Sequence, residues 1–119
     1  MGVRDVVLDS TGATIEWVHD TLNLTYQDIG RTVGASRRSV SRWVSREAVP
    51  SRQHRKRMEQ LRVLRHLVQS LFEDEEEALE WFHSSVPMLR GRTPISLLEE
   101  GEIDEVLGVL AGLESGAHY

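Results

Sequence analysis

Thr25-Tyr26-Gln27-Asp28-Ile29-Gly30-Arg31-Thr32-Val33-Gly34-Ala35-Ser36-Arg37-Arg38-Ser39-Val40-Ser41-Arg42-Trp43-Val44-Ser45 is the stretch on which the fold turns. Thr25 opens one helical segment, Tyr26 to Val33, with Ile29 and Val33 four apart; Ser36 opens another, reaching Ser45, with Val40 and Trp43 three apart. Both openers carry a side-chain oxygen that satisfies a free backbone N–H at a helix start. Two helices crossing steeply over a very short turn need a small residue at the crossing and a turn residue that tolerates positive φ. They also need apolar side chains that close the inside. Gly30, Gly34 and the set Ile29, Val33, Ala35, Val40 and Trp43 fill those places. The pattern predicts a helix-turn-helix with Arg37, Arg38, Ser41, Arg42 and Ser45 on the exposed face of its second helix. In that geometry the start of the second helix enters the major groove, where Arg bonds guanine bidentately and Ser bonds bases or phosphate. Ser36 belongs to the same face. Arg31, Arg46, Arg52, Arg55, Lys56 and Arg57 lie on either side and are placed to track phosphates. The competing reading is a helical hairpin with a solvated basic face. Both glycines, the apolar slots and the charge excess occur together, which favours double-stranded DNA.

The charge distribution supports that reading. The chain has 119 residues, 14 Lys+Arg and 19 Asp+Glu, for a formal net charge of -5, which taken alone argues against a nucleic-acid binder. The charges are segregated. Residues 1–30 carry one Arg and five acids; residues 31–66 carry eleven basic residues and two acids, net +9; residues 67–119 carry two Arg and twelve acids, net -10. Such asymmetry points to a polyanion-binding segment joined to something else. The length suits one compact domain, or two very small ones sharing a core. There is no cysteine, hence no disulfide, thiolate zinc site or cysteine nucleophile. Apolar runs are far shorter than the ~20 residues a membrane-spanning helix requires, and Met1-Gly2-Val3-Arg4-Asp5 lacks a signal-peptide core. A cytoplasmic protein with no membrane partner is the expectation.

The remaining segments read as helices, so the expected architecture is all-α with five to seven helices. Ile15, Val18 and Leu22 share a face beside Trp17, with Thr11 or Thr14 available to cap its start. From Ser51 a long amphipathic helix is expected, with Met58, Leu61, Leu64, Val68 and Leu71 in a stripe that Leu67 and Phe72 widen. Asp74 caps a helix through Phe82, its acids complementing the helix dipole. Residues 84–93 form an irregular connection, Ile95, Leu97 and Leu98 a short helix stopped at Gly101, and Ile103 to Leu113 a last helix before Gly116. The expected divisions are a DNA-binding unit over 1–50, a connecting or dimerisation helix over 51–73, and a C-terminal unit over 74–119. A lone helix-turn-helix reads few base pairs, so a homodimer on two half-sites is expected. The Met58-to-Phe72 stripe and the C-terminal helices are the surfaces available for it.

Catalysis finds no support. His19, His54, His66, His83 and His118 lack ligand spacing, no phosphate-cradling glycine loop is present, and the carboxylates at 73–77 form a local run. No metal site and no cofactor are expected. His54 and His66 lie amid arginines, which suggests a solvated or phosphate-facing position.

The C-terminal half runs Ala78-Leu79-Glu80-Trp81-Phe82-His83, then Val86-Pro87-Met88-Leu89-Arg90-Gly91-Arg92-Thr93-Pro94-Ile95-Ser96-Leu97-Leu98, then Gly101, Val106, Leu110 and Gly116. It resembles the toxin-binding domain of the Xre/MbcA/ParS antitoxins: a helix with Ala and Trp, a Pro-containing loop, a Gly-x-x-Pro-x-x-Leu-Leu segment, and a final helix ending in glycine. Those antitoxins carry an Xre-like helix-turn-helix and a long helix in front of that domain, so the resemblance covers roughly residues 14–119 in order. One departure is Met88, where the family loop often has Asn after its first Pro. The resemblance implies a RES-domain toxin as partner, one that consumes NAD or uses it for ADP-ribosylation. It implies a toxin cleft blocked by the C-terminal region, here Glu114, Ser115, Gly116, Ala117, His118 and Tyr119. It further implies repression of the antitoxin's own promoter through Arg37, Arg38, Ser41 and Arg42, and a higher-order complex with the toxin. The alternative is a stand-alone regulator, perhaps carried by a phage, whose C-terminal half only dimerises.

Overall fold

The computed structural model describes residues 3–116, with side chains from Thr11 to Gly116, and these form an all-α protein. Its helices are α1 (Val3–Leu22), α2 (Tyr26–Val33), α3 (Arg37–Val44), α4 (Arg55–Leu71), α5 (Glu75–Phe82), α6 (Pro94–Glu99) and α7 (Ile103–Glu114), with short 3-10 turns at Arg52–His54 and Pro87–Leu89. No helix among the described residues is long and apolar enough to cross a membrane.

The starts of most helices follow from local chemistry. Thr25 Oγ1 accepts from the Asp28 N–H at 3.0 Å while Asp28 Oδ2 accepts from the Thr25 N–H at 3.1 Å, a reciprocal capping box. Ser36 caps α3 through the Ser39 N–H at 3.1 Å, Asp74 caps α5 through the Glu77 N–H at 2.8 Å, and Thr93 caps α6 through the Ser96 N–H at 3.2 Å. Two expected starts are corrected. Helix α1 begins at Val3, well before Thr11 and Thr14, which are buried within it. The Thr11 hydroxyl accepts from Arg62 Nη2 at 3.2 Å, a distant partner that lets a cap-forming residue sit inside a helix. The long helix begins at Arg55 rather than Ser51, because the Ser51 hydroxyl is engaged with His54 Nδ1 at 2.9 Å and the intervening residues tighten into a 3-10 turn.

One apolar cluster runs through all seven helices. Ile15, Val18 and Leu22 of α1, Ile29 and Val33 of α2, and Val40 and Trp43 of α3 meet the α4 stripe. Phe82, Leu97, Leu98, Ile103, Val106 and Leu110 close the other side. Met58, Leu61, Leu64, Leu67 and Val68 are buried, with α4 packed against α1 and α7. This corrects the placing of a dimer surface on that stripe: a second copy cannot reach side chains that already fill the protein's own core. Fully burying each large apolar side chain stabilises the fold by about 1.5–3 kcal/mol, and α4 is therefore the central strut.

Helix α2 also rests on the C-terminal half. Arg31 Nη1 donates to the Glu99 carbonyl at 3.1 Å, and the Thr32 hydroxyl donates to the Leu98 carbonyl at 3.4 Å. Gly101, at φ 82, lies so close that an added Cβ would stand 3.0 Å from the Arg31 carbonyl oxygen.

Candidate functional site

The turn between α2 and α3 is built as its residues require. Gly34 adopts φ 75 and ψ 34, the left-handed conformation that costs glycine nothing. A Cβ on Gly30 would overlap the Ala35 carbonyl oxygen, so only glycine lets α2 approach the turn this closely. The Gly30 carbonyl accepts the Ala35 N–H at 2.9 Å. On the inner side Ile29, Val33, Val40 and Trp43 are buried.

The outer face carries the expected side chains. Arg37, Arg38, Ser41, Arg42 and Ser45 are all exposed, at spacings of three and four that share one side of α3. Arg37 and Arg38 make no ion pair with any described residue. Arg42 Nε stands 3.7 Å from Glu47 Oε2, a half-exposed pair weak enough to yield to a stronger anion. Two serines are engaged in the fold: Ser36 caps the helix, and the Ser45 hydroxyl donates to the Arg42 carbonyl at 3.3 Å. Arg46, at φ 65, turns the chain out of α3.

Charge placement is the most informative feature. Helix N-termini are positive, so acids belong there and cations are unfavourable by about 0.3–1 kcal/mol each. Helix α5 obeys with Glu75, Glu76 and Glu77, and α7 with Asp104 and Glu105. Helices α3 and α4 do the reverse. Neither has an acid in its first turn; α3 starts Arg37-Arg38 and α4 starts Arg55-Lys56-Arg57. Arg57 is compensated within the chain by Asp104, but the other cations at these two helix ends stand against the dipole, an arrangement that an external polyanion would make favourable.

His54 ties the start of α4 to the turn between α2 and α3, a role that sequence reasoning missed. Rather than being solvated or phosphate-facing, its Nε2 lies 3.2 Å from the Gly34 carbonyl and its ring 5.2 Å from that of Trp43. A carbonyl only accepts, so Nε2 carries the proton and, in the neutral ring, Nδ1 accepts from Ser51. The first turn of α4, with exposed Arg55 and Lys56, is thereby fastened beside the start of α3. Arg31 and Arg57 are instead held by internal partners: Arg31 by Asp28 at 2.6 Å, Arg57 by Gln60 at 3.0 Å and Asp104 at 3.5 Å. No signal in the sequence could have paired His54 with a glycine twenty residues away.

Glu114 closes α7. The Ser115 N–H and hydroxyl donate to the Ala111 and Gly112 carbonyls at 3.1 and 3.0 Å, and Gly116 turns away at φ 89. All three are exposed. Ala117, His118 and Tyr119 lie outside the described residues. Among the described residues no three His, Asp or Glu side chains converge as metal ligands would.

Comparison with known proteins gives this arrangement a context. Residues 67–116 match the antitoxin Xre/MbcA/ParS C-terminal toxin-binding domain. The mycobacterial cidal antitoxins MbcA of Mycobacterium tuberculosis and Mycobacterium bovis are each 30% identical over 104 residues, covering 87% of this chain and 91% of theirs. A chain in the crystal structure of the M. tuberculosis MbcT–MbcA toxin–antitoxin complex superposes with a TM-score of 0.61 at 29% identity, over 91% of this chain and 96% of that one. The likeness runs through the basic N-terminal segment as well as the matched domain, and the chain belongs to the Xre/MbcA/ParS antitoxin family.

Proposed function

We propose that this antitoxin neutralises a RES-domain toxin, one that consumes NAD or uses it for ADP-ribosylation, by covering its active-site cleft with the end of α7 and the residues from Glu114 to Tyr119. We propose also that it represses its own promoter as a homodimer. Arg37, Arg38, Ser41 and Arg42 read bases, while Ser36, Ser45, Arg46, Arg55 and Lys56 hold the phosphate backbone. The observation that carries the DNA half is the pair of helix N-termini loaded with cations against their own dipoles, the start of α4 being tied by His54 to the turn that leads into α3. The toxin half is supported by family membership and by an acidic C-terminal segment of net -10, which suits a basic partner.

The test is co-expression with the product of the neighbouring reading frame. Growth rescue, recovery of a stable complex, and a shift of the promoter fragment by the chain are the expected results. Promoter binding without rescue or complex formation would leave the stand-alone regulator as the correct reading.

A further inference from the structure

Where the end of α2, the 3-10 turn and the first turn of α4 meet, an open pocket of about 340 Å³ is lined by none of the residues proposed above to hold DNA. Its charged walls are Arg31 and Arg57, and no carboxylate among the described residues lines it. Each arginine is anchored through one nitrogen. Arg31 Nη1 donates to Asp28 Oδ1 at 2.6 Å and to the Glu99 carbonyl at 3.1 Å; Arg57 Nη1 donates to Gln60 Oε1 at 3.0 Å and to Asp104 Oδ2 at 3.5 Å. Nε and Nη2 of both have no partner among the described residues, and the two side chains are 49% and 41% exposed. The anchoring groups lie outside the pocket lining and hold the guanidiniums in place, which lowers the entropy lost when the remaining N–H groups take a ligand.

The other polar groups of the wall are mostly engaged. His54 Nε2 donates to the Gly34 carbonyl at 3.2 Å, and the Thr32 hydroxyl to the Leu98 carbonyl at 3.4 Å. The exposed Gln53 amide has no partner among the described residues and supplies a further donor. Helix α2 ends at this wall, but a helix end carries roughly half a negative charge, less than either cation. Two guanidinium forks on separate helices also select a ligand's shape. A carboxylate offers two oxygens in one plane, which a single fork satisfies; a tetrahedral phosphate offers oxygens in several directions and can bridge two forks. Through Arg31 and Gly34 the pocket adjoins a wider depression at the start of α3, which the same two residues line.

We propose that this pocket is a phosphate site, with Arg31, Arg57 and Gln53 donating to the phosphate oxygens. The same chemistry fits a phosphodiester of the DNA backbone and a free phosphate or pyrophosphate. The first source rests on the DNA reading and extends the contact from α3 to the end of α2; the second stands without it.

Two variants test the site in the full chain. Gln53→Glu places a carboxylate at the pocket wall without removing a contact, so helical circular dichroism and Tm are expected to hold. Arg57→Lys keeps the charge and its attraction to Asp104 but loses the fork. The readouts are fluorescence anisotropy on a promoter fragment and a scrambled duplex over a salt series, and the Tm shift produced by sodium pyrophosphate at low ionic strength. For a backbone phosphate, both variants lose roughly fivefold or more on the two duplexes alike, and Gln53→Glu flattens the salt slope by about one. For a free phosphate, duplex affinity is unchanged, while pyrophosphate raises the Tm of the wild-type chain and not that of the variants. Wild-type behaviour of both variants in both readouts would overturn the site. A loss confined to Gln53→Glu would overturn it too, because net charge rather than a fork would then be acting. A wild-type chain that binds neither duplex removes the DNA reading, and the pyrophosphate shift alone then decides for or against the site.

Discussion

Gly30→Ala tests the close crossing on which the α2–α3 unit depends. The added methyl would overlap the Ala35 carbonyl oxygen, a backbone atom that cannot rotate away as a flexible side chain could. The turn must therefore lift off α2, an overpacking cost of about 1–3 kcal/mol. The same movement stretches the 2.9 Å bond from the Ala35 N–H to the Gly30 carbonyl, at about 0.5–1.5 kcal/mol. Alanine's better helix propensity offsets roughly 0.5–1 kcal/mol. The net expectation is a loss of about 2–3 kcal/mol, which for a chain of this length lowers Tm by on the order of 10 °C. Gly34→Ala should cost less, about 1–2 kcal/mol, because φ 75 strains an L-residue but its Cβ meets nothing within 4 Å. Urea unfolding followed by tryptophan fluorescence, with buried Trp43 in α3 as one reporter, gives both values. A Gly30→Ala protein within ~0.5 kcal/mol of wild type would mean that the crossing has slack. The assignment of α2 and α3 as one tightly set unit would then be wrong.

Further predictions concern the surfaces. Arg38→Ala and Arg42→Ala should each cost ~1–3 kcal/mol on the specific promoter site, whereas Lys56→Ala should weaken binding to all sequences alike and flatten the salt dependence; gel shifts on matched and scrambled fragments check both. Truncation before Glu114 should abolish neutralisation in a growth-rescue assay while leaving helical circular dichroism intact, and a truncated chain that still silenced the toxin would move the inhibitory contact elsewhere. His54→Ala should lower stability by about 1–2 kcal/mol and weaken DNA binding without changing sequence preference, because it frees the α4 start from Gly34. Unaltered binding by that variant would separate Arg55 and Lys56 from the α3 face.

The features that sequence made legible were local ones. Thr25, Ser36 and Asp74 each act on an N–H three residues ahead, and Gly30 and Gly34 serve a turn only a few residues long. The stripe on α4 was legible as an apolar face but not as to what covers it, since periodicity gives a direction and no partner. Thr11 misled because the signal for a cap and the signal for a buried hydroxyl are the same residue, told apart only by Arg62 fifty-one positions on. His54 misled for the same reason: its neighbours in sequence are basic, and its neighbour in space is a carbonyl. The opposition of cations and helix dipoles is local too, since the basic residues and the helix starts that set it are neighbours in the chain.

The contact between α2 and α6 makes a claim about the whole molecule. Arg31 and Thr32 reach from α2 to the last carbonyls of α6, and Gly101 allows the approach. Gly101→Ala would strain a φ of 82, at about 1–2 kcal/mol, and push its methyl against the Arg31 carbonyl. It touches neither the exposed face of α3 nor the end of α7. If the helices share one cooperative core, as the continuous apolar cluster implies, this one methyl should lower a single unfolding transition. It should also weaken promoter binding and toxin neutralisation together at temperatures near that transition. Two transitions in calorimetry, or loss of one activity with the other intact up to the same temperature, would show two independently folding units. The hydrogen bonds between α2 and α6 would then be contacts of docking rather than of folding.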